Sequence, residues 1–150
     1  MDRNKQEKLK NIEDVILFQL DVASKQSKIY AQRVMDKQGM GITTEQWVIL
    51  KIVEESGPLT QKEVANMSYR DPASITRTLD LLSKKDFVRR IPVETDRRQH
   101  HIVLTELGRQ FVKKHLNLVN DLRKLSVRGF SDSEVEVLYK MLQRIRANFK

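Results

Sequence analysis

The sequence predicts a mainly α-helical chain with one small β-hairpin late in its length and long apolar helices at both ends. Three observations carry this. Helix-start signatures recur along the chain, two short β-like runs lie close together after the fourth start, and the apolar residues of both termini recur at helical spacing.

The first helix is expected over roughly 9–37. Ile12, Ile16, Ala23, Tyr30 and Val34 form one stripe of it, and Val15, Phe18 and Val22 a neighbouring one; Gly39 and Gly41 follow its end. The second helix, about 44–56, opens on Thr43 with Gln46. In such a capping box the hydroxyl accepts the third residue's N–H while the longer side chain reaches back to the cap. Ile42 and Trp47 flank that box at the spacing of a hydrophobic staple, and Ser56-Gly57-Pro58 stops the helix.

The same grammar repeats. Thr60 with Glu63, flanked by Leu59 and Val64, opens a short helix over about 61–67. Asp71 before Pro72 pairs a cap acceptor with the residue favoured at the first helical position, opening a fourth helix over about 72–85. Phe87 to Ile91 and His100 to Leu104 read as strands, and the polar stretch 92–99 between them as the tip of a hairpin. A fifth helix follows Thr105 and runs to about 127, broken by Gly129. Its apolar face holds Leu107, Phe111, Leu118, Leu122 and Leu125, with Val112, Leu116 and Val119 alongside. Ser131 with Glu134, flanked by Phe130 and Val135, opens a last helix over about 132–148. Apolar faces this wide exceed what one small partner helix covers, so the two ends of the chain are expected to build an intermolecular bundle. The expected organisation is 1–41 for dimerisation, 42–105 for the central module and 106–150 for dimerisation again.

Composition narrows the function. The 150 residues hold 28 Lys and Arg against 20 Asp and Glu, a formal charge of +8, which favours an acidic partner, nucleic acid being the commonest. No cysteine is present, which removes disulfides, thiolate metal sites, Fe–S clusters and thiol redox sensing, and is compatible with a reducing cytoplasm. No apolar run is longer than four residues, as in Val15 to Phe18, so no membrane span or signal-peptide core is expected. Phosphate-loop, dinucleotide, zinc-protease and nucleophile-elbow motifs are all missing, and nothing suggests an enzyme or a cofactor.

Three short helices followed by a basic hairpin outline a winged helix-turn-helix, whose second turn helix enters the major groove while the hairpin reaches a flanking minor groove. Within 84–98 stand six basic residues, Lys84, Lys85, Arg89, Arg90, Arg97 and Arg98, against three acids. In the fourth helix Ile75, Leu79 and Leu82 share the face that docks on the core, leaving Ser74, Thr76, Arg77 and Asp80 directed elsewhere. Short hydroxyls suit phosphates or base edges, and Arg77 suits a bidentate pair to guanine. Arg70, just before the positive end of that helix, suits a phosphate.

The chain resembles the MarR-type winged helix-turn-helix transcriptional regulators. The resemblance spans nearly the whole chain and is densest over 59–108. It is carried by Leu-Thr-Gln-Lys-Glu-Val-Ala (59–65), Ser-Ile-Thr-Arg-Thr-Leu-Asp-Leu-Leu (74–82), Phe-Val-Arg-Arg (87–90) and Asp-Arg-Arg-Gln-His-His-Ile-Val-Leu-Thr-Glu-Leu-Gly (96–108). It implies a homodimer through the first, fifth and sixth helices, groove contacts from residues 74–77, Arg98 in the minor groove and Arg97 on nearby backbone. It also implies that Asp96 braces the wing by pairing with an arginine, Arg90 being one candidate. A narrow A·T-rich minor groove attracts an exposed guanidinium, which agrees independently for Arg98. Two positions depart from the pattern: Leu81 replaces a polar or basic group, and Asp86 replaces the glycine of the helix-to-strand turn.

The expected function is a sequence-specific DNA-binding regulator, a repressor, acting as a homodimer on a pseudo-palindromic operator. The rivals are a nonspecific architectural nucleic-acid binder and a winged helix used for protein contact. The resemblance also raises a small aromatic or amphipathic effector, with Tyr30 and Trp47 as candidate liners, although core packing is the simpler role for Trp47. His100 and His101 alternate on a strand and His115 lies on a helix, so no metal site is expected.

Overall fold

The computed structural model describes residues 11–150. Its elements are α1 (Ile16–Lys37), α2 (Thr44–Ser56), β1 (Leu59–Thr60), α3 (Gln61–Ser68), α4 (Pro72–Lys84), β2 (Val88–Val93), β3 (Asp96–Leu104), α5 (Glu106–Ser126) and α6 (Asp132–Ala147). The mainly α fold with a small wing is borne out. The described residues up to Lys114 form one compact unit, and His115–Lys150, holding the later part of α5 and all of α6, form a second.

Local chemistry accounts for the helix starts. Thr43, Thr60 and Ser131 each accept the N–H of the residue three on, and Gln46, Glu63 and Glu134 each return a bond to the cap backbone. Asp71 accepts from Ser74 N at 2.8 Å, with Pro72 in the first turn. Two of the staples are buried, Ile42 with Trp47 and Leu59 with Val64, whereas Phe130 is 51% exposed beside its formed capping box.

Three boundaries differ from expectation. The first helix starts at Ile16, because Val15 is extended and offers no side-chain cap; residues 12–14 make a separate 3-10 turn. Residues 9 and 10 of the expected helix lie outside the described residues. The hairpin is longer than its apolar runs: β2 reaches Val93 and β3 begins at Asp96, so the tip shrinks to Glu94-Thr95. The extension pairs Pro92 with His100 and Val93 with Asp96, and the register shift between them leaves Arg97, Arg98 and Gln99 in an irregular stretch that no apolar alternation marks. The sheet also gains a third strand, in the order β1-β3-β2, with Leu59 opposite Ile102 and Thr60 opposite His101. Two residues leading into a capping box carry no strand periodicity, which hid it.

The core of the first unit gathers Ile49 and Leu50 of α2, Val64 of α3, Ile75, Leu79 and Leu82 of α4, Ile102 of β3 and Val112 of α5, all at 1% exposure or less. Each such side chain contributes about 1.5–3 kcal/mol by leaving water, so α4 is fixed by three anchors on one face. Trp47 is also buried, and its indole N–H finds no acceptor among the described residues. At the turn from α4 to β2, Asp86 takes φ +59, the left-handed conformation that glycine accepts most readily and Asp better than most.

The wing is tied to the start of α5. Thr105 N donates to Phe87 O at 3.1 Å, Thr105 Oγ1 donates to Asp86 O at 2.5 Å, and Gly108 N donates to Thr105 Oγ1 at 2.9 Å. Phe87 and Phe111 pack with ring centroids 4.4 Å apart above this joint. The Leu-Thr with its following glycine is therefore a helix cap fused to a strand pairing.

Candidate nucleic-acid interface

With Ile75, Leu79 and Leu82 inward, the opposite side of α4 turns Arg77 and Asp80 outward. Ser74 and Thr76 are half-buried. The Thr76 hydroxyl is already engaged: it donates to Pro72 O at 3.0 Å and accepts from the Gln61 side-chain amide of α3. One lone pair remains on that oxygen. Gln61 thus joins the candidate surface, although nothing in the sequence marked it. A contact across the helix turn has no periodic signature, and a glutamine at a first helical position reads as a solvated group.

Arg70 lies in the α3–α4 turn, after Tyr69 has closed α3 in the left-handed conformation with φ 54°. Its Nη2 stands 3.3 Å from Glu45 Oε1 of α2, so the guanidinium meets a carboxylate of its own chain.

In the wing, Arg97 and Arg98 are exposed near the tip. Asp96 Oδ1 accepts the Arg98 backbone N–H at 3.0 Å, which braces the strand directly behind the arginine. The pairing of Asp96 with Arg90 is replaced by another. Arg90 Nη2 lies 2.7 Å from Asp80 Oδ1, so Arg90 ties β2 to α4. The register explains this: Arg90 stands opposite Ile102, far along the ladder from Asp96, which pairs with Val93.

An open groove of about 340 Å³ brings Gln61 and Lys62, at the start of α3, together with Arg90, Arg98 and His100. Ser74 and Arg77 do not line it. The sheet therefore gathers the wing base and the α3 N-terminus on one basic surface, with the outer face of α4 presented separately. At the edge of this surface Glu63 is held below the usual carboxylate range. The Thr60 backbone N–H at 2.7 Å contributes most, followed by the Thr60 hydroxyl and the charge of His101.

The remaining candidates have different settings. Tyr30 is 51% exposed on α1, while Trp47 is buried on α2. Leu81 is 48% exposed. Among the described residues no cluster of His, Asp and Glu is arranged to hold a metal ion, and no helix is long and apolar enough to cross a membrane.

Residues 42–100 match the sequence model of the MarR family. A probable transcriptional regulator from Pseudomonas aeruginosa is 24% identical, with 90% of this chain and 99% of that one covered and a TM-score of 0.80. BpsR of Bordetella bronchiseptica, described with regulation of its DNA binding by 6-hydroxynicotinic acid, is 17% identical over 91% of this chain and 96% of that one, TM-score 0.82. MepR of S. aureus, in complex with DNA, is 21% identical over 89% and 98%, TM-score 0.80. At these identities the likeness to the solved structures is one of fold. Joined to the family match over residues 42–100, which spans the helix-turn-helix and most of the wing, it shows that the chain has a winged helix-turn-helix fold and is similar there to the MarR family of transcriptional regulators.

Proposed function

We propose that the chain is a sequence-specific DNA-binding repressor, acting as a homodimer on a pseudo-palindromic operator in the cytoplasm. The observation that carries this is the pairing of two surfaces: α4, anchored by three fully buried side chains and presenting Arg77, and a basic wing carrying Arg97 and Arg98. Ser74 and Arg77 read the major groove, Thr76 orients Gln61, Arg98 enters the minor groove, and Arg70 and Arg97 serve phosphates. The MepR–DNA complex supports the reading by analogy of fold. Catalysis forms no part of it, since the family is one of transcription regulators.

The dimer is supported by exposed large hydrophobic side chains towards the two ends of the chain. Ile16, Leu17, Ile29 and Tyr30 are exposed on α1, and Val137, Tyr139 and Met141 on α6. Two-fold pairing puts half-site centres about one helical turn, roughly 10 bp, apart. A small aromatic or amphipathic ligand is proposed to release the DNA, and BpsR offers the precedent of such regulation. Tyr30 and Trp47 are its candidate contacts.

The test is selection of bound sites from random duplex DNA, with the mass of the protein in solution measured in parallel. Recovery of a two-fold-related motif by a dimer is expected. A specific-to-nonspecific affinity ratio near one would instead favour an architectural binder, and an absence of DNA binding at low salt a protein-interaction module.

A further inference from the structure

Glu45 stands in the first turn of α2, where the helix dipole favours a carboxylate. One of its oxygens, Oε1, faces two cations from different parts of the chain. Arg70 Nη2 of the α3–α4 turn is 3.3 Å away and Lys28 Nζ of α1 is 4.0 Å away. All three side chains are partly exposed, at 36% for Glu45, 28% for Arg70 and 53% for Lys28. Two positive groups thus share a single carboxylate oxygen.

From this geometry we infer that Glu45 sets the affinity of the chain for DNA by competing with phosphate for Arg70, and that Lys28 takes over the Glu45 carboxylate when Arg70 leaves. The inference rests on the reading of Arg70 as a phosphate ligand. It adds a residue on α2 and one on α1, neither of which meets DNA in that reading.

Three features support the exchange. A partly exposed ion pair is weak, whereas arginine and phosphate make charge-assisted, often bidentate bonds, so phosphate can displace the carboxylate. Arg70 directly precedes Asp71, the cap of α4, and its own N–H is bonded to Ala65 O at 3.1 Å, so the guanidinium swings from a fixed root beside the reading helix. Lys28 stays within reach because α1 is pinned to the start of α2. Gln32, one turn after Lys28, donates to Ile42 O at 3.1 Å and accepts from Thr44 N at 2.9 Å. A carboxylate shared between one cation that can swing away and another held within reach is the arrangement an exchange requires.

The experiment is a set of anisotropy titrations on the duplex recovered by site selection, across a range of salt, with thermal unfolding to establish that each variant is folded. Wild-type binding establishes the function itself, so its absence would defeat the proposed function and not merely this inference. Arg70→Gln is expected to weaken binding and to lower the slope of log affinity against log salt by about 0.9, the signature of one lost phosphate contact. Glu45→Gln is expected to tighten binding about threefold, and only while Arg70 is present. Lys28→Gln, on the exposed face of α1, is expected to weaken binding about twofold with Glu45 present and to have no effect in the Glu45→Gln background. The inference is overturned if Glu45→Gln weakens binding or leaves it unchanged. It is equally overturned if the gain persists in Glu45→Gln/Arg70→Gln, which would mean general repulsion of DNA by Glu45. An Arg70→Gln variant that binds like wild type at every salt concentration also defeats it.

Discussion

Arg90 Nη2 lies 2.7 Å from Asp80 Oδ1, joining the first wing strand to the outer face of α4 by one charge-assisted hydrogen bond. The two side chains are 33% and 51% exposed, so the pair is worth little as a source of stability. Its value lies in geometry, because it links the element proposed to read the major groove to the one proposed to enter the minor groove.

A double-mutant cycle separates this pair from the one suggested by the sequence. Asp80→Asn and Arg90→Gln are expected to show a coupling of at most about 1 kcal/mol in urea unfolding, shrinking in high salt. Asp96→Asn is expected to show no coupling to Arg90→Gln. A cycle with the larger coupling between positions 90 and 96 would restore the original pairing.

Gly108 is required for a different reason from Gly39. A Cβ there would lie 2.1 Å from Phe87 O, and since both groups are held by the Thr105 bonds, backbone has to move. Gly108→Ala is expected to cost about 3 kcal/mol, read as a fall in the unfolding midpoint. At Gly39, φ is +64 and nothing lies within 4 Å of the added carbon. Gly39→Ala therefore meets only the left-handed backbone penalty, about 1 kcal/mol. Equal losses at the two sites would remove the steric account of Gly108.

Much of this architecture was legible because the helix starts are spelled out in adjacent residues. Capping boxes at Thr43, Thr60 and Ser131 need information from four positions, and the structure forms all three. Face assignment in α4 was equally local, since Ile75, Leu79 and Leu82 fall on one helical face. What escaped were contacts between elements whose spacing follows no period. Gln61 reaching Thr76, Glu45 reaching Arg70 and Asp80 reaching Arg90 each depend on how two elements approach in space. The start of α1 was missed because the apolar stripe runs on past Val15, although the backbone has already left the helix there.

The capping carboxylates make stability depend on pH. Glu63 and Glu134 are both held below the usual carboxylate range, in each case first by the backbone N–H of their caps, Thr60 and Ser131, and then by the cap hydroxyls. A lowered folded-state value means the native state keeps its charge where the unfolded chain has begun to bind protons. The contribution is therefore fully present above the unfolded value, about 4.3, and is lost as pH falls through the lower folded one. Glu63→Gln and Glu134→Gln are expected to flatten the stability profile below about pH 5, each narrowing its deficit against wild type as the solution is acidified. Parallel profiles for the variants and wild type from pH 7 to pH 3 would exclude this linkage.

Arg77 and Arg98 divide the proposed reading of DNA between base edges and groove shape, and the division is measurable. Arg77 is exposed on α4, opposite the buried Ile75, Leu79 and Leu82, where a guanidinium can meet guanine O6 and N7. Arg77→Ala is expected to cost about 1–3 kcal/mol on the selected operator and to relax base preference at one position of each half-site. Arg98 is exposed on β3 with its backbone N–H held by Asp96. Its expected target is a narrow minor groove, whose negative potential depends on A·T-rich sequence and not on any one base edge. Arg98→Ala should therefore weaken every site that carries the flanking A·T tract, while sites with that tract replaced by G·C pairs lose far less. Affinities of both variants on a panel of operators altered in the core or in the flanks separate the two roles. If both variants bound the whole panel like wild type across a salt titration, neither arginine would be part of the interface.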